Sequence, residues 1–329
     1  MHRPTHRPLA VLVTSLAVLA SSACGLGASE QSAAGGSGPY PLTVENCRAA
    51  VTLDAAPERV VLLKSAAVPY LAELGVLDRV TARAGEYPRD YYDDATWAAL
   101  ERIPALTRRT DTSGHTLVSK EVVIEQEPDL VLGEVDNLSR DTLGDVGIPL
   151  LEEPAMCADG LDEPGFDDIA DQMALYGRVF DRTEQAEAAS AEIAQRVAEL
   201  TAEPPTRRRT AAVLYPTVGG GVTYAYGTRS MAHPILEAAG LDNVFADTDE
   251  RVFEVTPEEL VGRDPDVLVL LHAAGDPDEV ADAVRLLPGA EGMTAVREGD
   301  LMSLLFNYVE PPTPLALDGL ERIRSRFGS

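Results

Sequence analysis

Residues 118–132, VSKEVVIEQEPDLVL, return in chemical type as residues 255–269, VTPEELVGRDPDVLV, 137 positions later. Each copy opens on a hydroxyl residue suited to cap a helix, Ser119 or Thr256. Each continues with a short helical stretch, an acidic-Pro-Asp turn and an apolar run of strand length. A chain that writes one helix-turn-strand unit twice at this distance is constrained to two α/β halves on one plan, each with a mostly parallel sheet. Ligands of such sheets bind outside the carboxyl ends of the strands, so the loops after the strands become the candidate site.

Between the halves lies a polar stretch, Arg182 to Thr201, with apolar residues at Ala189, Ile193, Val197 and Leu200. This spacing predicts a helix with one narrow buried stripe. Asp181 followed by Glu184 reads as a capping box, and Pro204-Pro205 is the stop. At 1.5 Å per residue the rod is roughly 30 Å long, enough to connect two compact units. Phe166, Ile169, Met173, Tyr176 and Phe180 form an earlier helical series. Its phase meets Thr183, Glu184 and Glu187 beyond Asp181, so the pattern predicts two helices with a break.

Other elements follow from short apolar runs and glycine stops. A hairpin is expected over Leu42–Asp54, and strands over Val60–Leu63, Val80–Ala84, Pro149–Leu151, Ala211–Tyr215, Val267–Leu271 and Leu301–Leu305. Helices are expected before Gly75, over Ser230–Ala239 ahead of Gly240, and over Pro314–Phe327.

Residues 1–23 read as an export signal, with Arg3 and Arg7 before an apolar stretch that ends at Ser21-Ser22-Ala23. Ala23-Cys24 resembles a lipoprotein cleavage site, with Cys24 as the lipid-bearing residue, although Ser21 stands where Leu is usual. Residues 24–40 read as a flexible tether. Cys47 and Cys157 are the remaining cysteines and are expected to pair as a disulfide in an oxidising compartment. The net charge is −27, and loss of the signal with its two Arg makes it −29. Such a chain is a poor partner for nucleic acid or for anionic membrane patches.

The ordered series AAPERVVLL, AELGVLDRV, SKEVVIEQEPDLVL, ILEAAGLDNVFAD and VTPEELVGRDPDVLVL resembles substrate-binding proteins of ABC importers for iron–siderophores, haem and vitamin B12. The resemblance implies two mostly parallel-sheet α/β lobes joined by one long backbone helix. On that plan 41–181 form the N-terminal lobe, 182–203 the connecting helix and 204–329 the C-terminal lobe. The helix then lies on the back of both lobes and makes no ligand contact. The resemblance also implies a monomer without resident cofactor, held to the membrane by lipid. It binds its ligand between the lobes and docks on a permease dimer through one acid per lobe. Glu237 matches in the second lobe; in the first, Pro69 stands where the family has Glu, and Glu73 is the substitute one turn on.

Loops at the strand ends supply Lys64, Ser65, Glu86, Tyr87, Arg108, Arg109, His115, Tyr224, Tyr226, Arg229, His233, Phe306, Asn307 and Tyr308. Lys64 is one of only two lysines, and Arg102 to Lys120 is a basic stretch in an acidic protein. Arg offers forked donors and Tyr an aromatic face with a hydroxyl, which suits a bulky iron chelate rich in oxygen. The expected ligand is a ferric siderophore, with the basic stretch favouring an anionic complex over the neutral or cationic ferrioxamine-like one that the overall −29 charge would suit; haem and cobalamin are the alternatives. His115, His233 and His272 lack the close spacing of a metal site. No nucleophile elbow, P-loop or HExxH motif supports an enzyme, and Ser230 near His233 reads as cap and cleft wall.

Overall fold

The computed structural model describes residues 39–110, 115–202 and 208–328. The export signal, Cys24, nearly all of the tether, and the Pro204-Pro205 stop lie outside the described residues. No described helix is long and apolar enough to cross a membrane.

The chain opens with an antiparallel hairpin of β1 (Leu42–Asn46) and β2 (Ala49–Leu53). The first lobe then alternates strand and helix: β3 (Val60–Leu62), α1 (Val68–Glu73), β4 (Val80–Ala84), α2 (Asp94–Arg102), β5 (Ala105–Thr107), α3 (Lys120–Ile124), β6 (Leu130–Leu132), α4 (Arg140–Gly144) and β7 (Leu150–Leu151). Its sheet runs in the order β5-β4-β3-β6-β7 with every pair parallel. Central β3 is buried on both faces, which is why it reads as an unbroken apolar run. Val60 and Leu62 face one core while Val61 and Leu63 face another, beneath α3 and α4.

Two helices leave this sheet, α5 (Asp167–Val179) and α6 (Thr183–Thr201). The expected break between them is present, but no capping box forms. Arg182 is the N-cap and makes no side-chain cap bond, while Asp181 takes a left-handed φ of 53°. The Arg182 amide donates to the Gly177 carbonyl at 2.7 Å, so Asp181 belongs to the C-terminal stop of α5. A Cβ on Gly177 would lie 2.3 Å from that of Ala186, so glycine is what lets α5 and α6 cross this closely.

The second lobe comprises β8 (Arg209–Pro216), β9 (Thr223–Tyr226), α7 (Ala232–Ala238), β10 (Leu241–Asn243), β11 (Val252–Val255), α8 (Pro257–Arg263), β12 (Val267–His272), α9 (Pro277–Arg285), α10 (Thr294–Glu298), β13 (Leu301–Leu305) and α11 (Pro314–Phe327). Its sheet order is β11-β9-β8-β12-β13, with β10 also beside β8. β10, β8, β12 and β13 pair in parallel, whereas β9 and β11 are antiparallel. Here the lobe departs from the plan of the first: Tyr224 and Tyr226 sit on a returning hairpin strand, not in a loop. Arg209 opens β8 and pairs with Asp300.

The repeated segment performs one task in both lobes. Ser119 and Thr256 cap α3 and α8, and Glu127 and Asp264 take left-handed φ values of 48° and 43°. Asp129 then accepts the amides of Glu58 and Arg59 just before β3, and Asp266 accepts the Thr210 amide in β8. The acidic-Pro-Asp turn therefore pins the entry of the central strand.

One hydrophobic core runs from Val60 and Leu62 through α1, α5 and α6 to α7, α11 and Val267, Val269 and Leu271 of β12. α6 buries Ala186, Ala189 and Ile193 in it, and its Arg196 reaches Asp318 and Glu321 of α11 at 2.7 and 2.9 Å. The two mostly parallel-sheet lobes are thus joined along their backs by one long helix and a shared apolar layer. Cys47 and Cys157 form a disulfide that ties the opening hairpin to the segment after β7.

Candidate functional site

The carboxyl ends of both sheets point into a cleft of about 510 Å³. Lys64 and Ser65 after β3, Glu86 and Pro88 after β4, and Glu134 and Asp136 after β6 form one wall, with Tyr91, His115, Thr116 and Met156. Tyr215 and Thr217 of the β8 end, Tyr224 and Tyr226 of β9, Arg251 and Val252 beside β11, Ala273, Phe306 and Asn307 form the other. Gly85 lets Thr116 approach the β4 end: its φ is +90°, and a Cβ there would lie 2.4 Å from the Thr116 hydroxyl. No residue of α6 lines the cleft.

The lobes meet at its floor. The Asn307 amide donates to the Tyr91 hydroxyl at 2.8 Å, Asn307 Nδ2 donates to Ser65 Oγ at 3.0 Å, and the Tyr308 hydroxyl donates to the Asp90 carbonyl. Tyr215 packs edge-on against Phe306, and Tyr91 against Tyr308. The result is an aromatic basin with hydroxyl groups, to which Leu63, Val135 and Val252 add aliphatic surface.

Among the described residues each lobe lines the basin with one Lys or Arg, and each is already paired. Lys64 Nζ lies 2.6 Å from Glu152 Oε2, and Glu152 is only 1 % exposed. The same oxygen accepts the Glu134 amide and the other accepts that of Glu153, both at 2.8 Å. Arg251 Nη1 lies 3.5 Å from Oε2 of Glu310, which is fully buried. Glu310 Oε1 accepts the Ser230 hydroxyl at 2.5 Å and the Met231 amide at 2.6 Å. Burial raises the Glu310 carboxyl above its ordinary range, while Arg251 and these donors pull it back. Glu86, Glu134 and Asp136 add acid to the lining, the last paired with His115 Nδ1 at 3.2 Å.

Of the residues expected from the sequence, the cleft brings together Lys64, Ser65, Tyr224, Tyr226, Phe306 and Asn307, along with Glu86 and His115. The others lie elsewhere for identifiable reasons. Tyr87 turns into its own lobe, donating to the Leu62 and Lys64 carbonyls, with Arg83 over its ring. Arg108 and Arg109 are exposed beyond β5, the edge strand, and neither lines the cleft, although the Arg109 carbonyl accepts the Leu117 amide beside the lining Thr116. The Arg229 guanidinium is taken by the Asp159 and Leu161 carbonyls and the Asp162 carboxylate. His233 stands over Glu237 at 3.7 Å on α7. Tyr308 is buried under Arg322. The Ser230 hydroxyl is directed to Glu310, so Ser230 and His233 form no nucleophile-base pair. Glu73 and Glu237 are both exposed, on α1 and α7. Among the described residues no three His, Cys, Asp or Glu side chains gather as a metal site.

Tyr91, Tyr215 and Arg251 escaped sequence reasoning, as did the buried acids. For the acids a signal existed: Glu152-Glu153-Pro154 and Glu310-Pro311 each place acid before proline just beyond a sheet's last strand. Arg251 opens an edge strand and carries no local mark of a binding role.

Comparison with known proteins gives a match to the periplasmic binding protein family over residues 60–308. A crystal structure described as an ABC-type Fe3+-hydroxamate transport system, from Saccharomonospora viridis, is 55% identical. It aligns with 88% of this chain and 100% of its own, at a TM-score of 0.85. A periplasmic binding protein from Veillonella parvula is similar in fold at 16% identity and a TM-score of 0.71, over 87% of this chain and 97% of that one. A cobalamin-binding protein from Halobacterium salinarum is 28% identical over 299 residues, covering 88% of this chain and 74% of that protein.

Proposed function

We infer the ligand from one premise: the chain belongs to the periplasmic binding protein family and is the solute-binding part of an ABC importer. We propose that it captures a ferric hydroxamate of neutral or positive net charge between its lobes and delivers it to a membrane permease. The carrying observation is the charge of the cleft. Both lining cations are cancelled by buried carboxylates, and Glu86, Glu134 and Asp136 leave the wall acidic. Three monoanionic hydroxamates cancel the charge of Fe3+, whereas three dianionic catecholates leave three negative charges. The acidic wall therefore reverses the lean toward an anionic complex that the basic stretch at 102–120 suggested from sequence. Paired Lys64 and Arg251 still hold N–H groups for hydroxamate oxygens, and the tyrosines supply faces for the chelate's hydrocarbon. The relative at 55% identity, described as an Fe3+-hydroxamate transport system, supports the same ligand class.

The reading extends to the ends of the protein. An export signal over 1–23 and lipid on Cys24 hold the two lobes outside the cell, tethered by 24–40. The lobes are 41–181 and 204–329, with 182–203 between them. Glu73 and Glu237, one exposed acid on each lobe, meet basic residues of the permease dimer, and the protein works as a monomer. Cobalamin is the second reading, favoured by the Halobacterium salinarum relative.

Isothermal titration against a ferrioxamine-type trihydroxamate, a ferric tris-catecholate, haem and cobalamin tests the ligand. The trihydroxamate is expected to bind at least about tenfold more tightly than each of the others, a difference of about 1.4 kcal/mol. A tris-catecholate or cobalamin that binds tightest overturns the proposal.

A further inference from the structure

We propose that Glu152 and Glu310 set the charge selectivity of the cleft, each acting through the one cation that its lobe presents. The inference rests on the ferric-hydroxamate reading and assigns that preference to two residues that do not line the cleft. Neither carboxylate is part of the 510 Å³ lining, yet each lies directly behind a lining cation. Their places correspond: Glu152 follows β7 and Glu310 follows β13, the last parallel strand of each sheet.

Donors meet both oxygens of each carboxylate. On Glu152, one oxygen accepts the Glu153 amide and the other accepts Lys64 Nζ and the Glu134 amide. On Glu310, one oxygen accepts Ser230 Oγ and the Met231 amide and the other faces Arg251. Each is thus a fixed counter-charge held by backbone and core, which a ligand cannot displace by moving a flexible side chain. The two are positioning residues: they keep Lys64 and Arg251 aimed at the cleft as hydrogen-bond donors while removing their net attraction for anions. A chelate must then be won by oxygen geometry and aromatic contact, and an anionic chelate meets the acids Glu86 and Glu134, with Asp136 paired to His115.

The test compares two dissociation constants, for a ferric tris-catecholate and a ferrioxamine-type trihydroxamate, in variants whose folding is checked by melting temperature. Glu310→Gln keeps an acceptor for Ser230 and Met231 but frees the charge of Arg251; Glu152→Gln does the same for Lys64. Each is expected to lower the catecholate-to-hydroxamate ratio of dissociation constants by at least about tenfold. Glu310→Asp, which keeps the charge, is expected to hold the ratio near the native value, which a purely structural role of Glu310 does not predict. Lys64→Gln, made at the partly exposed partner, is expected to move the ratio the opposite way and reads the pairing even where a buried variant does not fold. Unchanged ratios in folded variants, with native binding of the hydroxamate intact, overturn the inference and leave the proposed function standing. A native protein that prefers the catecholate overturns the function itself.

Discussion

Replacing Glu153 by Gln is expected to flatten a fall in stability that the native protein shows as pH rises from 4.5 to about 8. Glu153 is buried beside Glu152; its Oε1 accepts the Tyr176 hydroxyl at 2.8 Å, and its Oε2 has no partner. Burial, reinforced by the Glu152 charge, pushes its carboxyl from an ordinary 4.5 up to about 8, against the pull of Tyr176 and Lys64. Below pH 4.5 the group is protonated in both folded and unfolded chains, and its contribution is fully present. As pH rises the unfolded chain releases the proton first, so stability is lost until the folded carboxyl also ionises near pH 8. The native protein is expected to lose on the order of 4 kcal/mol across this window through Glu153 alone. Gln does not titrate, so urea unfolding of native and Glu153→Gln protein at pH 5 and pH 8 isolates the term. Parallel pH dependences in the two proteins overturn the assignment.

Removing the disulfide is expected to cost about 2–4 kcal/mol without unfolding the protein. Cys47 and Cys157 are 110 residues apart, and closing so long a loop restricts the unfolded chain strongly. The cost stays partial because the hairpin has a second attachment. Asn46 Nδ2 donates to the Glu152 carbonyl at 2.8 Å, and Asn46 Oδ1 accepts the Glu152 amide at 2.9 Å and Arg140 Nη2 at 2.5 Å. Denaturant unfolding of a Cys47→Ser, Cys157→Ser double variant measures the loss. Adding Asn46→Ala is expected to deepen it, since both hold the hairpin to one place. An unchanged midpoint in the double variant contradicts this account of the hairpin.

The parts of the fold that the sequence made legible are those fixed by local rules. Val60–Leu62 and Val267–His272 are buried on both faces, so they read as continuous apolar runs whatever surrounds them. The acidic-Pro-Asp repeat read correctly because its cap, its left-handed acid and its strand are all contiguous. Asp181 misled because an acid three residues before a Glu can cap one helix or end another, and only the Gly177 carbonyl decides between them. The site was less legible, for a physical reason. An arginine's local sequence gives its charge but not its partner. Arg108, Arg109 and Arg229 all looked available, yet edge placement removed two from the cleft, and a loop 70 residues away engaged the third. Tyr224 and Tyr226 reach the cleft together because residues two apart on β9 share one face of the strand. Trp97 is stacked on Tyr92 and does not line the cleft, so it is a poor reporter of binding. Calorimetry is therefore the better readout of binding.

The central claim is that an iron chelate sits between the lobes, and anomalous diffraction at the iron edge tests it most directly. Crystals of the protein saturated with a ferrioxamine-type trihydroxamate are expected to show one iron peak inside the cleft, between the Lys64–Ser65 wall and the Tyr224–Tyr226 strand. An iron peak on the outer surface, for example beside Arg108 and Arg109, or an iron-free cleft at saturating chelate, contradicts the account.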